Sequence, residues 1–184
     1  MNIREIGAYL KIKGEIDEKT RALIEEIYVE AEKTPLIKRV AEFRMELADN
    51  GVKMSGSDVV LTGNLAKKHF VGCEKIVVVL ASLGLESERK MKEFYALSPT
   101  RGLVLDACYS ELLERRLDKI EDELKKNGQN LTSRISCGYG DLPLETQEPI
   151  MELLNARALG IYMNESKMLT PNKSVVALLG VKGE

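Results

Sequence analysis

Ile76-Val77-Val78-Val79-Leu80 is an unbroken run of large aliphatic residues, nearly all of them β-branched. Such side chains sit well on a pleated strand, and a strand that is apolar on both faces has to be covered on both. The run therefore predicts a central strand with a layer of structure above it and another below. The chain's 184 residues are enough to build both layers as a single domain over residues 1–184.

The flanking segments supply the material. Ile16, Leu23, Ile24, Ile27 and Ala31 recur at helical spacing behind Asp17, a capping residue, and Pro35 closes the run. Ala41, Phe43, Met45 and Leu47 alternate with Glu42, Arg44 and Glu46, which predicts a half-buried strand with a charged outer face. A glycine and serine cluster from Gly51 to Asp58 predicts a turn before Val59-Val60-Leu61, and Asn64 is placed to cap a short helix reaching Phe70. Beyond the central strand, a helix is expected from Glu86 to Leu97. Ser98-Pro99-Thr100 breaks it and starts the longest helix, Arg101 to Lys126, with a core stripe of Leu103, Ser110, Leu113, Leu117, Ile120 and Leu124. Asp106 falls on this stripe: it faces a polar cleft, or sits where the helix end emerges from the core, or Ala107 takes the core position and Asp106 turns to water. After Asn127-Gly128, Leu131 to Ile135 reads as a strand. A helix carrying Ile150, Leu153, Leu154 and Ala158 stops at Gly160, and strands Ile161 to Met168 and Ser174 to Val181 flank a turn at Pro171-Asn172. Strands and long helices mix without a βαβ rhythm, so the expected class is α+β: a twisted, largely antiparallel sheet with long flanking helices.

Composition excludes several functions. The formal net charge is −2 with acidic and basic residues interspersed, which removes the electrostatic footprint of a nucleic-acid binder. The longest apolar run is far too short to span a membrane, and Arg4 and Glu5 stand where a signal peptide needs apolar residues, so a cytoplasmic protein is expected. Cys73, Cys108 and Cys137 are odd in number and widely spaced, which argues against a disulfide framework and a zinc site. Cys73 and Cys108 are expected to be buried and Cys137 partly exposed. His69 is the only histidine, too few for a usual transition-metal site.

The segment from Arg134 to Glu145, RISCGYGDLPLE, carries the functional signal. A guanidinium stays charged at physiological pH and can grip a carboxylate or phosphate through two parallel hydrogen bonds. Gly138 and Gly140 permit positive φ and close backbone approach. Asp141 as cap and Pro143 in a first helical turn would aim free amide groups at the turn, where a small anion is welcome. Gly138-x-Gly140 lacks the rest of a dinucleotide fingerprint, and no Walker A loop is present. No catalytic residue is assigned.

Arg134-x-x-x-Gly138-Tyr139 with Pro143, followed by Asn164-Glu165-Ser166-x-Met168-x-x-Pro171-x-x-Ser174-Val175, resembles the activation domain of cobalamin-dependent methionine synthase, above all its short stand-alone forms. Leu83-Gly84 and Leu105-Asp106-Ala107 extend the likeness upstream. The resemblance implies an S-adenosylmethionine site at the sheet edge. There Arg134 would hold the ligand carboxylate, Ser136, Cys137 and Gly138 would lie against it, and Tyr139 would face the ligand or an approaching corrinoid. Asp106 is a further candidate for the site. The resemblance also implies cobalamin carried by a partner, a cobalamin-dependent methionine synthase or another corrinoid protein, and a flavodoxin-like electron donor. Two departures stand out. Val176-Ala177-Leu178-Leu179 holds only aliphatic residues where the fused synthases use a tyrosine, and no residue matches their N-terminal acidic contact. The alternatives are service to another corrinoid methyltransferase, and a scaffold or sensor that has lost the ligand.

Overall fold

In the computed structural model, which describes residues 1–183, the aliphatic run is the middle of strand β4 (Cys73–Ser82). This strand pairs antiparallel with β1 (Ile37–Ala48) on one side and β7 (Ser174–Lys182) on the other. Beyond β1 the sheet continues through β2 (Gly51–Met54) and β3 (Val60–Thr62), so its order is β3-β2-β1-β4-β7 with every pairing antiparallel. The expected α+β class is what the chain adopts.

Each face of β4 has its own core. Val77, Val79 and Ala81, with Ala177 and Leu179 of β7, meet helices α1 (Ile3–Tyr9), α2 (Glu18–Glu32) and α5 (Pro99–Lys126), with α4 (Gly84–Leu97) packed along α5. Ile76, Val78 and Leu80, with Val176 and Leu178, meet the curled β2–β3 ribbon, α3 (Asn64–His69) and α6 (Gln147–Leu153). The buried aliphatic side chains of β4 each contribute roughly 1.5–3 kcal/mol by leaving water, which is why the alternate residues of one strand organise two layers. A small hairpin of β5 (Tyr162–Met163) and β6 (Leu169–Thr170) completes the fold.

Several expectations are corrected. Gly51 to Met54 is a strand rather than part of a turn, because Asp49-Asn50 already reverses the chain and Gly51 pairs with Ala48. Leu47 is exposed, since the β1 to β4 pairing ends at Arg44 and nothing covers the tip of β1. Leu103 is exposed as well, while Val104, Leu105, Ala107 and Cys108 are buried near the start of α5. The helix expected up to Gly160 is split at Asn155, whose φ of 47° places it in the left-handed region, leaving α6 and a 3-10 turn at Ala156–Leu159. Ile161 to Met168 contributes only the two residues of β5 to a ladder.

Candidate functional site

Residues 130–135 lie along the outer edge of β7. Thr132 N donates to Gly180 O at 2.9 Å, Ile135 N to Leu178 O at 3.0 Å, and Leu178 N to Ile135 O at 2.8 Å. Two isolated bridges form, so the segment shields the sheet edge without becoming the regular strand expected over Leu131 to Ile135. His69 steadies it, with Nε2 at 2.9 Å from Ser133 O and 3.0 Å from Thr132 Oγ1. Alternation then sorts the side chains. Ile135 and Cys137 enter the β2–β3 side core, and Arg134 turns the other way, toward α5. Cys137 is buried rather than partly exposed, and burial pushes its thiol up to about 11.

The turn that follows is closed by its own backbone. Tyr139 N donates to Ser136 O at 3.2 Å, Gly138 N to Leu142 O at 2.9 Å, and Leu142 N to Tyr139 O at 3.0 Å. Gly138 has a φ of 90° and Gly140 of 54°, the region in which glycine is least strained. The amides of Gly138 and Tyr139 are thus engaged and do not form the free anion cradle anticipated there. Nor does Asp141 cap the helix after it. That helix starts only at Gln147, behind a 3-10 turn at Leu144–Thr146. Asp141 instead accepts from Asn64 N at 2.7 Å and Leu65 N at 2.8 Å, capping α3 from across the fold. These two hydrogen bonds, that from Leu65 foremost, lower its pKa. Gly63 lets the carboxylate in, since a Cβ there would stand 2.8 Å from Asp141 Oδ1. The outcome is a hydrogen-bonded turn that exposes the Tyr139 ring, 62% accessible.

Arg134 is not on an open ledge. Its Nη2 donates to Glu114 at 2.9 Å and to Asp118 at 2.8 Å, and its Nη1 donates to Glu121, all three carboxylates standing on α5. Burial by itself would depress the guanidinium pKa; the hydrogen bond to Asp118 and the charges of Glu121, Glu114 and Asp118 more than offset it and leave it raised. Asp106 belongs to a different cluster. It pairs with Lys173 at 2.9 Å, half exposed, while Ala107 takes the core position. It lies eight residues before Glu114 on the same helix, about 12 Å along the axis, and is not brought to Arg134. Ser136 is half-buried beside the turn.

Sequence reasoning missed Glu111. This carboxylate is fully buried and accepts from Tyr28 Oη at 2.6 Å and Asn2 N at 2.6 Å, tying α2 and the start of α1 to α5. Its position among Cys108, Leu112 and Tyr109 was a readable signal, since a glutamate in register with core residues needs partners. Two cavities of about 570 Å³ lie elsewhere. One is lined by Ile3, Gly7, Ile16 and Arg21, the other by Glu148, Asn155, Tyr162, Asn164 and Lys167, so the Asn164-Glu165 segment of the family-like pattern borders the second. No group of histidine, cysteine, aspartate or glutamate side chains among the described residues is arranged to hold a metal ion, and no helix is long and apolar enough to cross a membrane.

No family model matches the chain, and no curated protein matches it either. Among solved structures, the chain is similar to the MetH reactivation domain bound to AdoHcy, with a TM-score of 0.70 and 18% sequence identity, over 97% of this chain and 75% of that one. The two share a fold.

Proposed function

We propose that the protein is a stand-alone reactivation module: it binds S-adenosylmethionine at the sheet edge and supports reductive remethylation of cobalamin carried by a separate methionine synthase. One observation carries the reading. A fold shared with a domain solved with AdoHcy bound sets an arginine on its sheet-edge segment, immediately before a closed glycine turn that exposes a tyrosine. In this reading Arg134 holds the ligand carboxylate, the chain from Ser136 to Gly138 forms the wall beside it, and the Tyr139 ring faces the ligand or the corrinoid. The ligand supplies a methyl group on sulfur, whose loss relieves a positive charge, and a flavodoxin-like protein supplies the electron. The chain's own work is placement of the donor methyl against a cobalt that arrives on its partner.

Calorimetric titration of the full chain with S-adenosylmethionine tests this. Saturable binding to the wild-type protein, lost or weakened by about 2 kcal/mol or more in Arg134→Ala, is expected for a charge-assisted pair. Absence of binding to the wild type would remove the proposal. A methionine synthase lacking its own reactivation region is the expected catch when the immobilised protein is offered the cell's corrinoid proteins; capture of a different corrinoid methyltransferase would redirect the reading to that enzyme. A second reading, a scaffold without ligand, draws on the three carboxylates already paired with Arg134 and on the engaged amides of Gly138 and Tyr139.

A further inference from the structure

The donors of Arg134 are spent in a particular way. A guanidinium presents two edges to a planar carboxylate, and each edge uses one of the two protons on the same terminal nitrogen, Nη2. Nη2 of Arg134 donates to Glu114 and to Asp118, and Nη1 donates to Glu121. With both Nη2 protons taken, neither edge can grip an incoming carboxylate until α5 lets go of at least one bond. Three carboxylates around one guanidinium, with Lys125 3.8 Å from Glu121, also leave a formal charge of about −1 at the place where the ligand's acidic end is meant to sit. A simple carboxylate is repelled there and, on arrival, strands a glutamate or aspartate beside it.

We propose that Glu114, Asp118 and Glu121 form a latch on Arg134 that opens by ion exchange, so that the site accepts a carboxylate only on a molecule that also brings positive charge, and prefers the sulfonium donor to its thioether product. The inference rests on the function proposed above. In an S-adenosylmethionine molecule whose carboxylate has taken Arg134, the ammonium is one carbon away and the sulfonium three, within reach of the carboxylates just released. Attraction replaces attraction, and the net positive ligand reduces the local excess of negative charge. AdoHcy has the same carboxylate and ammonium but no charge on sulfur, so it compensates less. The latch then does two things: it keeps Arg134 neutralised while the site is empty, and it weakens the hold on the product once the methyl group has left. Glu114 and Asp118 are the more exposed members, at 39% and 63%, against 14% for Glu121, which makes them the bonds that yield first.

The test is a titration of the full chain with S-adenosylmethionine, AdoHcy and sinefungin, an analogue with an ammonium group in place of the sulfonium. Wild type is compared with Glu114→Gln/Asp118→Asn, isosteric changes whose fold is checked by circular dichroism. The two cationic ligands should bind wild type about tenfold tighter than AdoHcy, the order of one additional charge at a partly screened site. In the double variant AdoHcy should tighten and the discrimination shrink to about threefold or less. Binding seen only in the variant would overturn the latch, because the ligand would then fail to open it in the wild type, and would remove the proposed function with it. Equal affinity of wild type for all three ligands, or discrimination that survives in the variant, would overturn the latch and leave the proposed function standing. Failure of both proteins to bind any of the three would sink the proposed function itself.

Discussion

Arg134 and Glu111 are two charged residues that α5 handles in opposite ways. Glu111 is sealed in the core with Tyr28 Oη and a backbone amide as partners, and removing one side of such an arrangement leaves buried polar groups unpaired. Glu111→Ala should cost about 1–3 kcal/mol for each buried donor left unpaired, read by urea denaturation. Arg134 sits at the margin, about a quarter exposed, with two of its three partners well open to water. Its loss should cost only about 1 kcal/mol of stability by the same measurement, although it is the residue expected to abolish binding. A large stability loss in Arg134→Ala would mean that the residue is structural first. The sequence made Arg134 conspicuous through its neighbours, Gly138 and Tyr139, and could not reveal its partners, because Glu114, Asp118 and Glu121 read as the solvated face of an ordinary amphipathic helix.

At the level of elements, Asp141 is the instructive case. An aspartate two residues before a proline reads as the cap of the next helix, and the structure uses it to cap α3, more than seventy residues earlier in the chain. Asp141→Ala should lower the urea midpoint at neutral pH and loosen the turn that carries Tyr139. The sign of the pH dependence follows from the lowered pKa of Asp141. Its contribution is present above the unfolded-state value and is lost as the pH falls through the lower folded-state value. The stability difference between wild type and Asp141→Ala should therefore be full at pH 7 and vanish below the ordinary aspartate range, and a difference that grows on acidification would contradict the cap. Where periodicity was strong, as in α2, β1, β4 and α5, elements were legible within a few residues. It was weakest in the last third of the chain, where the split at Asn155 and the two-residue strands are decided by packing rather than by pattern.

On the scale of the whole molecule, one strand serves two cores, so damage to either side should be felt as one transition. Leu80→Ala, on the β2–β3 side, should cost about 2–5 kcal/mol in a single cooperative unfolding curve. The cysteines report the same unity: Cys108 faces the α5 side and Cys137 the other, and burial pushes their thiols up to about 12 and about 11. At pH 8 both should react with a thiol reagent only as fast as the protein opens, and rapid labelling of Cys137 in the native state would show that the turn is not closed. What the amino-acid sequence determined by itself was local and periodic: a central strand apolar on both faces, amphipathic helices to cover it, an antiparallel α+β class, and a glycine turn behind an arginine. The tertiary structure alone decided which groups meet across the chain, namely Asp141 with α3, Glu111 with Tyr28 and the N-terminal segment, and Arg134 with three carboxylates of α5. The physical reason is that secondary structure answers to neighbours a few residues away, whereas the partner of a charge is set by how helices and sheet pack, which no short stretch of sequence contains.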